Sequence, residues 1–207
     1  MLLNSEKIDP DFIRKQLLNR NAEPYIFPES ENFVQGPPRP AAVLIPLIKK
    51  NGEWELLFIR RTNIEGDHHS GQVAFPGGRR DKSDRDPRAN ALRETHEEIG
   101  VAASSITILG ELEYMVTVSN YKVTPVVGHM QWPLKLSAQE KEVKRIFSIP
   151  LAWLADKGNH RIEQMKLEHS SQSHPVIYFN DFDGELLWGV TAHIVLNFLD
   201  ALSSSSE

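Results

Sequence analysis

The segment that most constrains the fold of this chain is residues 93–100, which read Arg-Glu-Thr-His-Glu-Glu-Ile-Gly. Asp86 and Pro87, a few residues earlier, are typical of the start of a helix, and Gly100 is typical of the position just past a helix end. These signals predict one helix over residues 87–99. A helix this acidic needs a face that packs on the rest of the fold and an environment that tolerates its charges.

Residues three and four apart lie on the same face of a helix, so three carboxylates share one stripe: Glu94, Glu97 and Glu98. A separate stripe, able to pack on a sheet, carries Ala91, Leu92, Thr95 and Ile99. Like-charged neighbours repel by roughly 0.2–0.5 kcal/mol when exposed, and by more when partly buried. A divalent cation would relieve that repulsion, and carboxylate oxygens suit Mg2+ or Mn2+. The simpler alternative is a solvated acidic face.

The composition narrows the class of protein. A length of 207 residues suits one domain, which buries enough surface to fold without disulfides. The chain has no cysteine, which excludes disulfides, zinc fingers, iron–sulfur clusters and a thiol nucleophile. A net charge of −5 argues against nucleic-acid binding. We also find no secretory segment and no apolar run of membrane-spanning length, and therefore expect a cytoplasmic protein with no membrane partner.

Strand and turn signals surround the acidic helix. Residues 41–48 and 54–61 are predicted to form a hairpin closed by Asn51–Gly52. Further strands are predicted at residues 73–75, 106–118, 123–130, 143–149, 161–167, 175–179 and 186–188. Helical segments are predicted at residues 9–18, 150–155 and 191–202.

These elements divide the chain into three parts. Residues 1–40 are predicted to form an N-terminal helix and a proline-rich arm, residues 41–202 the main domain, and residues 203–207 a disordered tail. The arm could wrap its own domain or reach a neighbouring subunit, which leaves a homodimer open.

Gly78 and the core of residues 93–100 together resemble the Nudix box. Fourteen residues separate Gly78 from Arg93, one more than in the general family pattern, and Asp84 fills the first acidic position. Thr95 stands where an apolar residue is usual. The Arg-Glu-x-x-Glu-Glu-x-Gly core itself is intact.

A second stretch resembles one branch of that family. Residues 71–78, Gly-Gln-Val-Ala-Phe-Pro-Gly-Gly, are similar to the signature that precedes the Nudix box in coenzyme A diphosphatases. Residues 56–61 resemble the start of the same signature, and later matches lie at residues 124–128, 142–151 and 188–192. The resemblance therefore runs from about Ala41 to the C-terminal helix.

The resemblance implies an α+β fold, a Nudix-like α/β/α sandwich with a mixed, curved β-sheet between helices. It also implies that water hydrolyses a diphosphate bond with the help of Mg2+ or Mn2+. The implied ligands of the ion in this sequence are Glu94, Glu97, Glu98 and the backbone carbonyl of Gly78. Arg93 would orient the glutamates, and Glu94 or Glu98 would be the general base. An acid outside the motif often completes such a site, and the candidates are Glu140 and Glu142.

The substrate implied by the branch is coenzyme A or a derivative, cut to 4′-phosphopantetheine and adenosine 3′,5′-bisphosphate. Residues expected to contact this nucleotide are Arg60, Arg61, Gln72, Phe75 and Gly77. Residues 65–67, Glu-Gly-Asp, stand where the branch usually has a basic residue. That difference keeps open another nucleoside diphosphate derivative, such as ADP-ribose, NADH or a dinucleotide polyphosphate. A catalytically silent nucleotide-binding regulator is a third alternative, against which the complete set of acids argues.

Overall fold

The computed structural model of the protein describes residues 8–27, 36–63, 70–166 and 173–203. Within these ranges the α-helices are α1 (Pro10–Asn19), α2 (Pro87–Ile99), α3 (Leu151–Ala155) and α4 (Gly189–Ser203). Short 3-10 turns lie at Ala103–Ser105 and Lys157–Asn159. None of the helices in the described ranges is long and apolar enough to cross a membrane. Residues 28–35 of the arm, the Glu-Gly-Asp segment at 65–67 and residues 204–207 of the expected tail lie outside the described residues.

The strands form one large mixed sheet and one separate hairpin. The strands are β1 (Tyr25–Ile26), β2 (Arg39–Lys50), β3 (Glu53–Arg61), β4 (Val73–Ala74), β5 (Gly77–Arg79), β6 (Ile106–Glu111), β7 (Met115–Val116), β8 (Tyr121–Met130), β9 (Val143–Pro150), β10 (His160–Lys166) and β11 (Ser173–Phe179). The main path of the large sheet is β1-β7-β8-β2-β3-β4, with β5 on β2, β6 on β8 and β9 on β3. Strands β2 and β8 are parallel, whereas β2 and β3 are antiparallel. Strands β10 and β11 pair only with each other.

Helices cover both faces of the large sheet because strand residues alternate between the faces. On one face, Leu44 and Ile48 of β2 pack with Ala91 and Ile99 of α2. On the other face, Ile45 and Leu47 of β2 belong to a core shared with α1, α3 and α4. This arrangement confirms the predicted α/β/α sandwich.

The local signals at the hairpin and at the acidic helix are confirmed. Asn51 and Gly52 have φ values of 51° and 88°, the left-handed pair that a two-residue hairpin turn requires. Asp86 caps α2 by accepting a hydrogen bond from the Ala89 N–H at 2.8 Å. Gly100 ends the helix with a φ of 74°, and its N–H donates to the His96 carbonyl.

The predicted strand over residues 106–118 is wrong as one element, because the structure divides it into β6 and β7. Both pieces pair with β8, and the break falls opposite Pro125. Proline has no N–H to give to the ladder, so a continuous strand would leave acceptors unpaired there. The predicted strand over residues 186–188 reduces to one bridge, between Tyr178 and Trp188.

The arm contributes a strand that was not expected. Tyr25 and Ile26 pair in parallel with Met115 and Val116, so β1 lies at one edge of the large sheet. The arm therefore packs along its own domain at this point.

Candidate active site

The predicted acids lie where β5 crosses the packed face of α2. Strand β5 pairs with β2 at Ala41–Val43, and this pairing places Gly77 and Gly78 next to the glutamates. A Cβ on Gly78 would lie 2.7 Å from the Glu94 carboxyl carbon, closer than real side chains approach. Glycine at this position therefore lets the carboxylate pack directly on the backbone.

Glu98 is a buried carboxylate, with a side chain that is only 2% exposed. The Gly77 N–H donates to its Oε2 at 2.9 Å, and Arg61 Nη1 lies 3.8 Å from its Oε1. The pKa of Glu98 is raised to about 8, mainly by burial and also by the nearby charges of Glu94 and Glu142, whereas the Gly77 and Arg61 contacts oppose the shift. Without a cation nearby, this carboxyl group therefore keeps its proton at neutral pH.

Glu94 is the second carboxylate withdrawn from water. Burial raises its pKa, and Arg93 Nη2, 2.9 Å from its Oε1, opposes the shift. The pKa of Glu94, like that of Glu98, is therefore raised by burial and lowered by an arginine, but the arginine here is Arg93 and not Arg61.

Arg93 is fixed by an acid from the loop before the helix. Its Nε and Nη2 donate to the two oxygens of Asp84 at 3.1 and 2.9 Å, and Nη2 also donates to the Arg79 carbonyl at 3.2 Å. The Asp84 side chain is 4% exposed, and its hydrogen bond with Arg93 lowers the pKa of Asp84. Asp84 therefore orients Arg93, which in turn contacts Glu94.

Glu97 differs from its two companions. Its side chain is 55% exposed and accepts a hydrogen bond from Arg93 Nη1 at 2.7 Å. Glu98 instead shares the packed face of α2 with Thr95 and Ile99, so the expected separation of an acidic stripe from an apolar stripe is wrong for Glu98. Across the described residues, no three His, Cys, Asp or Glu side chains are already gathered to hold a metal ion.

The donor set at the glycines nevertheless fits a hard divalent cation. Glu94 and Glu98 offer carboxylate oxygens, and the Glu94 carboxylate packs directly against the backbone of Gly78. Burial raises the pKa of both carboxyl groups, which a nearby positive charge would reverse. Mg2+ commonly binds through one or two carboxylates and completes its shell with water and substrate phosphates. Two protein carboxylates are therefore enough to bind the ion.

The structure separates the two candidate acids outside the motif. Both of these side chains are exposed. The negative charge of Glu142 raises the pKa of both Glu94 and Glu98. The turn before β9 is joined to the end of α2, because the Gln139 N–H donates to the Glu98 carbonyl at 2.9 Å. The Glu140 carbonyl accepts a hydrogen bond from the Thr62 hydroxyl.

A cavity of about 510 Å3 opens beside the glycines. Four of the five residues expected to contact a nucleotide line it: Arg61, Gln72, Phe75 and Gly77. The fifth, Arg60, instead donates to Glu185 Oε2 at 2.8 Å. Arg60 therefore links β3 to the turn before α4.

Sequence reasoning missed the far walls of this cavity. They come from Tyr25 and Phe27 in the arm, from β11, and from Trp188 and His193 around the start of α4. The rings of Tyr25 and His193 are 3.9 Å apart between centroids. No local sequence pattern marks Tyr25 or His193, because residues 25 and 193 meet only through the tertiary fold.

Known proteins share both the sequence and the fold. A family model described as NUDIX domain matches residues 37–167. A protein named "Uncharacterized Nudix hydrolase NudL" from Escherichia coli O7:K1 is 38% identical over 157 residues, which are 76% of this chain and 79% of that protein. The protein of the same name from Escherichia fergusonii has the same identity and coverage.

Among solved structures, a MutT/nudix family protein from Enterococcus faecalis has a TM-score of 0.53 and 16% identity, over 94% of this chain and 69% of its own. Identity that low supports the fold alone. The family match and the relatives together decide the membership: this chain belongs to the Nudix hydrolase family, whose enzymes act on pyrophosphate bonds.

Proposed function

We propose that this enzyme hydrolyses the diphosphate bond of coenzyme A or a derivative, with Mg2+ or Mn2+, to give 4′-phosphopantetheine and adenosine 3′,5′-bisphosphate. The observation that carries the proposal is the position of residues 71–78, whose sequence resembles the coenzyme A diphosphatase signature. Gln72 and Phe75 of this stretch line the cavity, and its last two residues contact Glu98 and Glu94. The signature therefore joins the cavity to the buried acids.

Nudix hydrolases generally use divalent metals such as Mg2+ or Mn2+. In this chain Glu94, Glu97, Glu98 and the Gly78 carbonyl would hold the ion. When bound, it would neutralise the diphosphate oxygens and make water a stronger nucleophile.

The protein side chains supply positioning and proton transfer. Arg61 and Arg79 line the cavity next to the glycines and provide positive charge for a diphosphate. The attacking water would give its proton to Glu94 or Glu98, the two carboxyl groups that pack against the glycines. Arg93, anchored by Asp84, is a positioning residue because it acts through the carboxylate of Glu94.

The burial of Glu98 also argues against a silent regulator. Enclosing a carboxyl group costs free energy unless it is compensated, and natural proteins accept that cost mainly at functional sites. A protein that only bound a nucleotide would have no use for two such groups on one helix.

The test is a substrate panel with identified products. Purified protein with Mg2+ or Mn2+ is incubated with coenzyme A, ADP-ribose, NADH and diadenosine polyphosphates, and products are identified by mass spectrometry. We expect 4′-phosphopantetheine from coenzyme A, and no product in a parallel reaction with Glu98→Gln. No turnover of coenzyme A, together with clear turnover of another compound, would reject the proposal in favour of that compound.

A further inference from the structure

The cavity extends far from the glycines, across several strands of the large sheet. Residues that pair across neighbouring strands form one row perpendicular to the strands, with one residue from each of β1, β7, β8, β2 and β5: Tyr25, Met115, Val123, Ala41 and Arg79. Four of these five residues line the cavity. Four strand spacings of about 4.8 Å make this row about 19 Å long. A single ring would fill only part of it.

The two ends of the row differ in charge. Arg61, the last residue of β3, and Arg79, the last residue of β5, line the cavity at the glycine end. At the opposite edge of the sheet the walls are Tyr25, Phe27 and Ile194. A ligand along the row would therefore have its anionic group at the glycines and an uncharged group at the aromatic end.

Three hydroxyl side chains that line the cavity already have partners within the protein. The Thr191 hydroxyl donates to the Val73 carbonyl at 3.1 Å, and the hydroxyls of Thr117 and Ser119 are 3.0 Å apart in a hydrogen bond. The ring of His193 lies tilted against that of Tyr25, and burial lowers the pKa of His193, which favours its neutral form. The surface left for a ligand is mainly apolar.

We propose that this cavity binds the uncharged arm of the substrate, and that Tyr25, Phe27 and His193 form an end wall that sets the longest arm accepted. The inference rests on the proposed function: for coenzyme A, the arm is pantetheine together with an acyl group on its sulfur. The preferred substrates are then thioesters whose acyl chain fills the aromatic end.

The residues of this end wall lie outside the range that matches the family model. Tyr25 and Phe27 precede the matched residues 37–167, and His193 follows them. The arm is held by backbone hydrogen bonds, with the Tyr25 N–H donating to the Tyr114 carbonyl and the Phe27 N–H to the Val116 carbonyl. Shortening the Tyr25 side chain should therefore open the wall and leave β1 in place.

The experiment measures kcat/KM for free coenzyme A and for its acetyl, octanoyl and palmitoyl thioesters. We expect Tyr25→Ala to raise the palmitoyl-to-octanoyl ratio about tenfold, the lower end of the effect that a single methylene has in an apolar pocket. Tyr25→Phe keeps the ring and should leave the ratio near that of the wild type. Tyr114→Ala is the matched control, since it removes a ring at the same sheet edge that does not line the cavity.

A second variant and a second readout protect the test from folding defects. His193→Ala opens the wall from α4 and should change the ratio in the same direction. Binding of S-octanoyl and S-palmitoyl pantetheine, followed by calorimetry, reports on the wall without phosphates or catalysis. An unchanged chain-length profile in both variants, with coenzyme A still hydrolysed, would overturn this inference alone. Failure to hydrolyse any coenzyme A compound would overturn the proposed function, and absence of pantetheine binding would then overturn the inference as well.

Discussion

The glycine end and the aromatic end of the cavity are built in opposite ways. At the glycine end, Gly77, Gly78, Glu94 and Glu98 come from one stretch of chain, a short strand and the helix that follows it. At the aromatic end, Tyr25 and His193 come from an N-terminal arm and a C-terminal helix. The contrast teaches that reactive groups can be encoded locally while the shape that selects a substrate is assembled by long-range packing.

The two ends also affect stability in opposite directions. Glu98 is buried with a pKa raised to about 8, so its carboxylate form destabilises the fold when no cation is present. The aromatic end buries rings against one another and carries no such cost. Stability of the glycine end should therefore depend on metal and fall as pH rises, whereas the aromatic end, where burial lowers the pKa of His193, should lose stability as pH falls.

Removing the buried acid is the strongest way to test the role of the glycine end. We expect Glu98→Gln to reduce turnover at least about a hundredfold, the order expected when a general base or the support of a metal clamp is lost. Glutamine preserves the volume and can still accept the Gly77 N–H. Activity would be measured at saturating Mg2+, with circular dichroism to verify folding. Wild-type turnover in this variant would remove Glu98 from the mechanism.

The second prediction concerns stability against pH, measured in the presence of a chelator. Below about pH 4.5 Glu98 is protonated in both the folded and unfolded chains, so it contributes no slope. Between pH 4.5 and about 8 the folded chain keeps a proton that the unfolded chain loses, so stability should fall as pH rises. We expect a loss on the order of 4 kcal/mol over this range relative to Glu98→Gln, because one proton difference changes stability by about 1.4 kcal/mol per pH unit.

Denaturant unfolding of both proteins from pH 5 to pH 8 gives the difference directly. Parallel stability curves for the two proteins would contradict the raised pKa. Addition of Mg2+ should reduce the difference, because a cation beside Glu98 favours its charged form.

The sequence predicted the glycine end in detail and the aromatic end not at all. Asp86, Pro87 and Gly100 defined α2 correctly because helix caps act over only three or four residues. The burial of Glu98 was not predicted, because periodicity indicates a face without showing which strand lies opposite it. Tyr25 and His193 gave no signal, since the fold alone brings residues so distant in the sequence together.

The third prediction tests the support behind Arg93. Asp84→Asn removes a buried negative charge that holds Arg93 through two hydrogen bonds. We expect a loss of roughly 1–2 kcal/mol of unfolding free energy, less than for a fully enclosed ion pair because the Arg93 side chain is 27% exposed. Chemical denaturation measures the change. Asp81→Asn, in the same loop but exposed, is the control. Equal losses in both variants would show that the loop, and not the ion pair, matters.

The smallest effect should come from Glu142, the acid in the turn before β9. Glu142→Gln removes a charge that acts on both Glu94 and Glu98, and we expect kcat/KM to fall about tenfold, as for other groups that tune a metal site from outside it. The apparent affinity for Mg2+ should fall as well, which a purely structural role would not produce. Glu140→Gln is the matched control two residues away, because Glu140 is exposed and its structural contact is through its backbone carbonyl. Equal activity of the two variants would show that the acids needed at the glycine end come only from the strand and helix that carry the motif.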